Sequence, residues 1–350
     1  MKSTMKTLVA ASALSLCVAA ANAKPILLKT PIAFGSHLPA LGTPITWVSK
    51  QLPLVSGGQL KMKIYEPGKL VAPLQILDAV SSGKVNSGYA IAGYWSGKIP
   101  AAAIFSTIPF GPEAPEFMAW MYYGNGHKLY QKMYDDAGYN VHVEPCALIS
   151  PETSGWFKKP VKSLDDLKGL NMRFYGLGGE VMQKLGVSTS LLPGGEIFGA
   201  LEKGAIDATE FSQPAIDQKL GFYKVAKHNY FPGWHQQATL FELLINKDTW
   251  NKMDDSQRAV ISTTCKASIT NSIAESEYIQ FEAIKKNTEE RGVTVHKWSP
   301  EMLKAFRSAW DEVVEDQKKD PTFAAVYKDL QTFRENYKLW SSRAFVPRED

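Results

Sequence analysis

Two eight-residue segments, one in each half of the chain, share one grammar. Ala79-Val80-Ser81-Ser82-Gly83-Lys84-Val85-Asn86 and Ala200-Leu201-Glu202-Lys203-Gly204-Ala205-Ile206-Asp207 each run from a helix end through a capping glycine into a β-branched strand start closed by Asn or Asp. A chain that builds this corner twice points to two similar α/β lobes rather than one continuous sheet, the alternative being convergence on common corner chemistry.

The flanking patterns fit that division. Ile26 to Phe34 predicts a strand, Ile45 to Val55 an apolar-periodic helix, and Leu60 to Tyr65 a second strand closed by Glu66-Pro67-Gly68. Pro73 opens a helix whose Leu74, Leu77 and Val80 share a face, and Val85 to Ala92 returns as a strand. This β-α-β rhythm predicts an open α/β sheet. Farther on, an aromatic helix is expected from about Ala114 to Met133, and a strand from Val141 to Ile149 that crosses between lobes. A helix through Val181 to Leu185 ends at Gly186, and strands follow at Ala205 to Phe211 and Leu240 to Ile245. Between Asp254 and Glu290 there is no Pro or Gly, and an apolar stripe runs through Val260, Ile261, Ile269, Ile273, Ile279 and Phe281. That predicts a long helix bracing both lobes. Pro300 and Pro321 begin two more helices.

The first residues set the compartment. Lys2 and Lys6 precede an apolar run from Leu8 to Ala20, and Ala21-Asn22-Ala23 is a cleavage site, so 1–23 reads as a signal peptide and the mature chain begins near Lys24, outside the cytoplasm. No second apolar run approaches spanning length, which predicts a soluble mature protein. Losing the segment lowers the formal net charge from +4 to +2, a balance that gives no basis for nucleic-acid or membrane binding. Cys146 and Cys265 are the mature cysteines, and they are expected to stay unbridged, because Cys265 lies in a helical run where a buried thiol is the common state.

Catalytic signatures are missing. The chain has no H-E-x-x-H, no G-x-S-x-G and no Walker loop, and His142, His228 and His235 lack ligand spacing and read as surface or hydrogen-bonded residues. What stands out is polar residues at strand ends. Leu167 to Tyr175, LKGLNMRFY, carries Arg173 in an apolar strand, and a guanidinium there suits a carboxylate. Glu152 precedes the Gly155-Trp156-Phe157 run, Glu210 and Phe211 follow the second corner, and Glu242 lies inside Leu240 to Ile245, where a buried carboxylate needs donors or a cation. If the three glutamates converge, their repulsion calls for a hard cation such as calcium or sodium.

In ordered runs that span nearly all the mature chain, these residues resemble the DctP family of solute-binding proteins of TRAP (tripartite ATP-independent periplasmic) transporters. The runs are Tyr65-Glu66-Pro67-Gly68, Asp78 to Gly83, Ile108-Pro109-Phe110-Gly111-Pro112, Gly155-Trp156-Phe157, Asp166 to Arg173 and Ala200 to Glu210. Gly97 to Ala103, Lys219 to Ala226 and Phe231-Pro232-Gly233-Trp234 are similar to the branch that binds 2-oxoacids such as pyruvate, with 2-hydroxyacids nearby. The resemblance implies a two-lobed, type II-like periplasmic binding protein with mixed sheets and hinge-crossing strands. Its implied lobes are 24–148 with about 238–275, and 149–237 with about 276–350. It implies a non-enzymatic periplasmic receptor that delivers a small organic carboxylate to TRAP permease subunits. By carry-over, Arg173 pairs with the substrate carboxylate, and a metal ion bridges protein and ligand through Glu152, Glu210 and the backbone carbonyl of Phe211. Glu152 stands where relatives commonly have Gln, and Phe211 where many have Trp. The extra carboxylate, with Glu242 as a further candidate ligand, favours calcium over sodium. Tyr94 and Trp95 are candidates for closing over the alkyl end. Other readings are a TRAP receptor for a dicarboxylate, aromatic oxoacid or sugar acid, a sensory subunit, or a secreted metal-dependent enzyme on small acids. Monomer and dimer both remain open, the tail from Trp340 to Asp350 being short for a swapped dimer.

Overall fold

The computed structural model describes residues 25–346; the expected signal peptide and cleavage site lie outside them. The chain opens with β1 (Ile26–Pro31), α1 (Thr43–Val55), β2 (Leu60–Tyr65), α2 (Ile76–Ser81), β3 (Ser87–Ala90), α3 (Ala102–Ser106), α4 (Ala114–Tyr123), α5 (Gly126–Asp136) and β4 (Val141–Ile149). It continues through β5 (Gly155–Phe157), β6 (Asn171–Arg173), α6 (Gly176–Lys184), β7 (Ser188–Ser190), α7 (Gly194–Glu202), β8 (Ala208–Thr209), α8 (Pro214–Leu220), β9 (His228–Phe231) and β10 (Thr239–Asn246). It ends with α9 (Lys247–Asn251), α10 (Asp255–Tyr278), α11 (Gln280–Glu289), β11 (Thr294–Lys297), α12 (Pro300–Gln317) and α13 (Pro321–Ala344).

These strands fall into sheets that respect the two halves. β1 and β2 pair in parallel, Ile26 opposite Leu60 and Pro31 opposite Tyr65, across the α1 crossover, whose Ile45, Val48 and Leu52 form its buried face. An Ile32–Tyr89 bridge joins this pair to an antiparallel sheet in the order β3-β10-β4. β10 is buried along its whole length, which explains its near-continuous apolar sequence. The second body is a mixed six-stranded sheet, β11-β9-β5-β8-β6-β7. Both corner glycines adopt positive φ, 74° at Gly83 and 76° at Gly204, so the shared grammar corresponds to shared backbone.

β4 and β10 belong to the first sheet, and the chain passes between bodies in the segments beside them, 150–154 and 232–238. The long helix is α10 and α11 with a break at Ile279; α10 packs on β4 and α1, and α11 on α8 of the other half. Small residues bring α10 close: Ser272 Oγ accepts from Leu148 N at 3.0 Å, and Ser276 Oγ from Ser150 N at 3.2 Å.

Two expectations are corrected. Cys146 and Cys265 form a disulfide that fixes α10 to β4. The Cys265 face of the helix lies directly on the strand, an adjacency no spacing in the sequence reveals, and the 119-residue separation implies roughly 4–5 kcal/mol in the chain-entropy account. The last helix, α13, expected in the second lobe, packs instead against α3, α4 and α5. Asp329 accepts from Trp120 Nε1 and Asn125 Nδ2, and Arg334 pairs with Glu116 at 3.1 Å. Among the described residues no helix is long and apolar enough to cross a membrane.

Candidate ligand and metal site

Strand ends and both crossing segments converge on one small buried cavity of about 20 Å³. The end of β6 supplies Arg173, and the residues after β8 supply Glu210 and Phe211. The first crossing carries Glu152, and the second carries His235 and Gln236. The facing body contributes Phe34, Ile91, Tyr94 and Phe241. Gly233 makes the two crossings compatible: a Cβ there would stand 2.1 Å from the Glu152 carbonyl oxygen, so any side chain would force the segments apart.

The electrostatics are concentrated. Arg173 Nη1 donates to the Glu210 backbone oxygen at 2.6 Å and to Glu210 Oε2 at 2.8 Å, and Nε donates to Leu192 O at 3.2 Å. Its remaining nitrogen, Nη2, donates to none of the described residues. Arg173 thus pairs with Glu210 and keeps Nη2 without a partner among the described residues. Glu210 Oε2 also accepts from Tyr175 N at 3.1 Å, and Glu210 Oε1 lies 3.7 Å from His235 Nε2, beyond hydrogen-bond reach. Glu152 Oε1 accepts from Thr239 Oγ1 at 3.1 Å.

Several buried atoms here have no hydrogen-bond partner among the described residues: Glu152 Oε2, Glu210 Oε1, the Tyr175 hydroxyl, Gln236 Oε1 and both His235 ring nitrogens. Buried polar atoms rarely stay unpartnered, and so many around one cavity mark a place built for a polar guest. Burial, then repulsion from Glu210 and Asp217, holds the Glu152 carboxyl well above the usual carboxylate range. Burial pushes Glu210 upward too, but the Arg173 guanidinium and His235 outweigh it and keep this carboxyl below its ordinary value.

A cation fits this chemistry. Glu152, Glu210 and His235 each offer a ligand atom, all within 4.8 Å of one another, and the two free carboxylate oxygens are hard donors. Such an ion would offset the repulsion between the glutamates and offer a Lewis-acidic contact to an anionic guest.

The structure brings Arg173, Glu152, Phe211 and Tyr94 to the cavity wall, with Glu210 beside Arg173 and Glu152, but neither Glu242 nor Trp95. Glu242, expected as a metal ligand, is saturated elsewhere. Trp95 Nε1 donates to it at 2.8 Å, the Tyr134 hydroxyl at 2.8 Å, and the Tyr130 hydroxyl completes the set. Trp95, expected over the ligand, is a donor to that carboxylate inside the first body. Sequence reasoning also missed His235, read as a surface or hydrogen-bonded residue and in fact buried with both nitrogens unpartnered. Its place in Phe231-Pro232-Gly233-Trp234-His235, directly after a family-like run, was the available signal. Asp217, buried with one oxygen on Trp156 Nε1 at 2.8 Å, carried no signal.

Comparison with known proteins places this geometry. Residues 47–320 match the family described as bacterial extracellular solute-binding protein, family 7, DctP. The monocarboxylate 2-oxoacid-binding periplasmic protein of Nostoc sp. is 37% identical over 300 residues, 84% of this chain and 80% of that protein. A TRAP periplasmic solute-binding protein from Colwellia psychrerythraea, with bound calcium and pyruvate, is 31% identical with a TM-score of 0.87, covering 92% of this chain and 98% of that one. Another from Pseudoalteromonas atlantica, with bound sodium and pyruvate, is 30% identical with a TM-score of 0.86, covering 92% and 97%.

Proposed function

The chain belongs to the DctP family of extracellular solute-binding proteins, and from that premise we propose that it is the periplasmic receptor of a TRAP transporter for small 2-oxo or 2-hydroxy monocarboxylates. The observation that carries this reading is the set of unpartnered buried atoms around Arg173: Glu152 Oε2, Glu210 Oε1 and the His235 nitrogens. Arg173 Nη2 takes the ligand carboxylate, and Glu210 holds the guanidinium in place. Glu152, Glu210 and the Phe211 carbonyl would hold a metal ion, which would supply a Lewis-acidic contact to the ligand's oxygens. Such a contact would favour 2-oxo and 2-hydroxy acids over plain fatty acids. With two carboxylates in the set, calcium is favoured over sodium. Tyr94 closes the cavity from the facing body.

The lobes meet at this site: 24–148 with about 238–275, and 149–237 with about 276–320, α13 returning to the first. Ligand bridging both halves drives hinge closure at 150–154 and 232–238, and the closed form presents the acid to the permease. Signal-peptide cleavage after Ala23 delivers the chain to the periplasm, and the protein releases its ligand unchanged. Native mass spectrometry of protein purified without added ligand tests the assignment. A bound 2-oxo or 2-hydroxy acid with calcium is expected; a dicarboxylate, a sugar acid or a reaction product would replace it with another receptor or an enzyme.

A further inference from the structure

The cavity around Arg173 ends on one side at the rings of Phe34 and Phe211, whose centroids are 6.5 Å apart. Both rings also line a second, larger cavity of about 310 Å³. Its other walls include Ala33, Leu38, Pro67, Pro193 and Leu220. Its charged or titratable members, His37, Glu66 and Glu196, are exposed, so they stand where the cavity meets solvent. The two spaces thus share an aromatic partition, polar on the Arg173 side and apolar on the other.

The partition is built asymmetrically. Phe211 lies 5.2 Å from the Arg173 guanidinium, and on its far edge Gly194 approaches so closely that a Cβ there would stand 2.6 Å from Phe211 Cζ. Phe34 packs against Tyr94, with ring centroids 5.8 Å apart, and Phe241, at 5.4 Å, on the facing body. Pyruvate, with one methyl beyond its keto carbon, has nothing to place behind these rings.

We propose that the larger cavity is a tail subsite, and that Phe34 and Phe211 set chain-length preference for aliphatic 2-oxo monocarboxylates. This rests on the carboxylate-and-cation reading of the Arg173 site. With that end fixed, the alkyl chain of a longer acid passes beside Phe34 into apolar surroundings, where each methylene removed from water tightens binding by roughly fourfold.

Gly195 gives a selective test. It lines the cavity beside Glu196, its φ is not in the left-handed region, and nothing lies within 4 Å of where a Cβ would stand, so a side chain there is added without strain. Calorimetry in the presence of calcium would compare pyruvate, 2-oxobutanoate and 4-methyl-2-oxopentanoate on the wild-type chain, Gly195→Ala and Gly195→Leu. The wild-type chain is expected to bind the six-carbon acid more tightly than pyruvate. Gly195→Leu should weaken that acid by about tenfold or more while pyruvate stays within about twofold, with Gly195→Ala in between. Pyruvate binding without binding of the longer acids overturns the tail subsite and leaves the receptor reading intact, and so does a Gly195→Leu effect equal on all three. Failure of the wild-type chain to bind any of them removes both.

Discussion

Glu242 and Glu210 are both completely buried carboxylates in apolar surroundings, yet their environments are opposite. Glu242 is surrounded by neutral donors, an indole N–H and two phenol hydroxyls, all from the first body. Burial prevails over those bonds and pushes its carboxyl up to about 7, so at moderate acidity it is a neutral group in a filled cage. Glu210 pairs with Arg173 and keeps one oxygen unpartnered, facing Glu152 and His235 at the junction of the two bodies. Burial of an acid thus does not separate structure from ligand binding. The discriminating feature is whether its lone pairs are already used.

Breaking the open cluster should have the largest effect. Arg173→Ala removes the ligand's cation and leaves Glu210 buried without its partner, a change of roughly 3–5 kcal/mol. Pyruvate binding should fall below detection by calorimetry, and full-strength binding by that variant would refute the role of Arg173.

Paired substitutions sharpen the contrast. Glu210→Gln should lower calcium affinity by about tenfold or more, roughly the weight of one charge-assisted contact, whereas Glu242→Gln should leave it within about twofold. Thermal shift against calcium concentration reads both, since a ligand specific to the folded state raises Tm by mass action. An equal loss in the two variants would erase the distinction between the clusters.

Glu242 has a signature of its own. Its folded value is raised, so the folded state holds this proton more tightly than the unfolded chain. The stability this group contributes is therefore fully present below about pH 4.5 and is lost as pH rises toward 7, a loss of up to roughly 3 kcal/mol. Denaturant unfolding of the wild-type chain and Glu242→Gln across that range should show the difference closing as pH falls. A pH-independent difference would contradict the neutral cage.

The smallest effect is expected at Glu152. Glu152→Gln keeps an oxygen donor and removes one charge, so pyruvate binding should persist while the preference for calcium over sodium narrows. Titrations in the two ions measure that directly.

How far the sequence carried each cluster has physical reasons. Leu60–Tyr65 and Val141–Ile149 were legible to the residue, the first by alternation closed at Glu66-Pro67-Gly68 and the second as a mostly apolar run, since both signals act locally. β5, β7, β9 and β11, of three or four residues, are too short to carry a period, and the aromatic run from Ala114 splits at Gly124-Asn125 into α4 and α5. The long helix was legible, but its break at Ile279 was not, since no Gly or Pro marks it. At the site, Glu152, Arg173 and Glu210 showed as charges at apolar strand ends. His235 had no spacing to read, being a single histidine in a loop, and only its place after Phe231-Pro232-Gly233-Trp234 marked it. For Glu242, the need for donors was correctly legible, but their identity lay across the fold: Tyr130 and Tyr134, one helical turn apart on α5, aim at the same carboxylate.

On the proposed reading the open cluster takes an anion and a cation together. Titrating pyruvate into metal-stripped protein, then repeating the titration with calcium restored, separates the two contributions. Binding that is weak or absent without the metal and returns with it is the expected result. Equal pyruvate affinity in both titrations would show that the cation takes no part in binding.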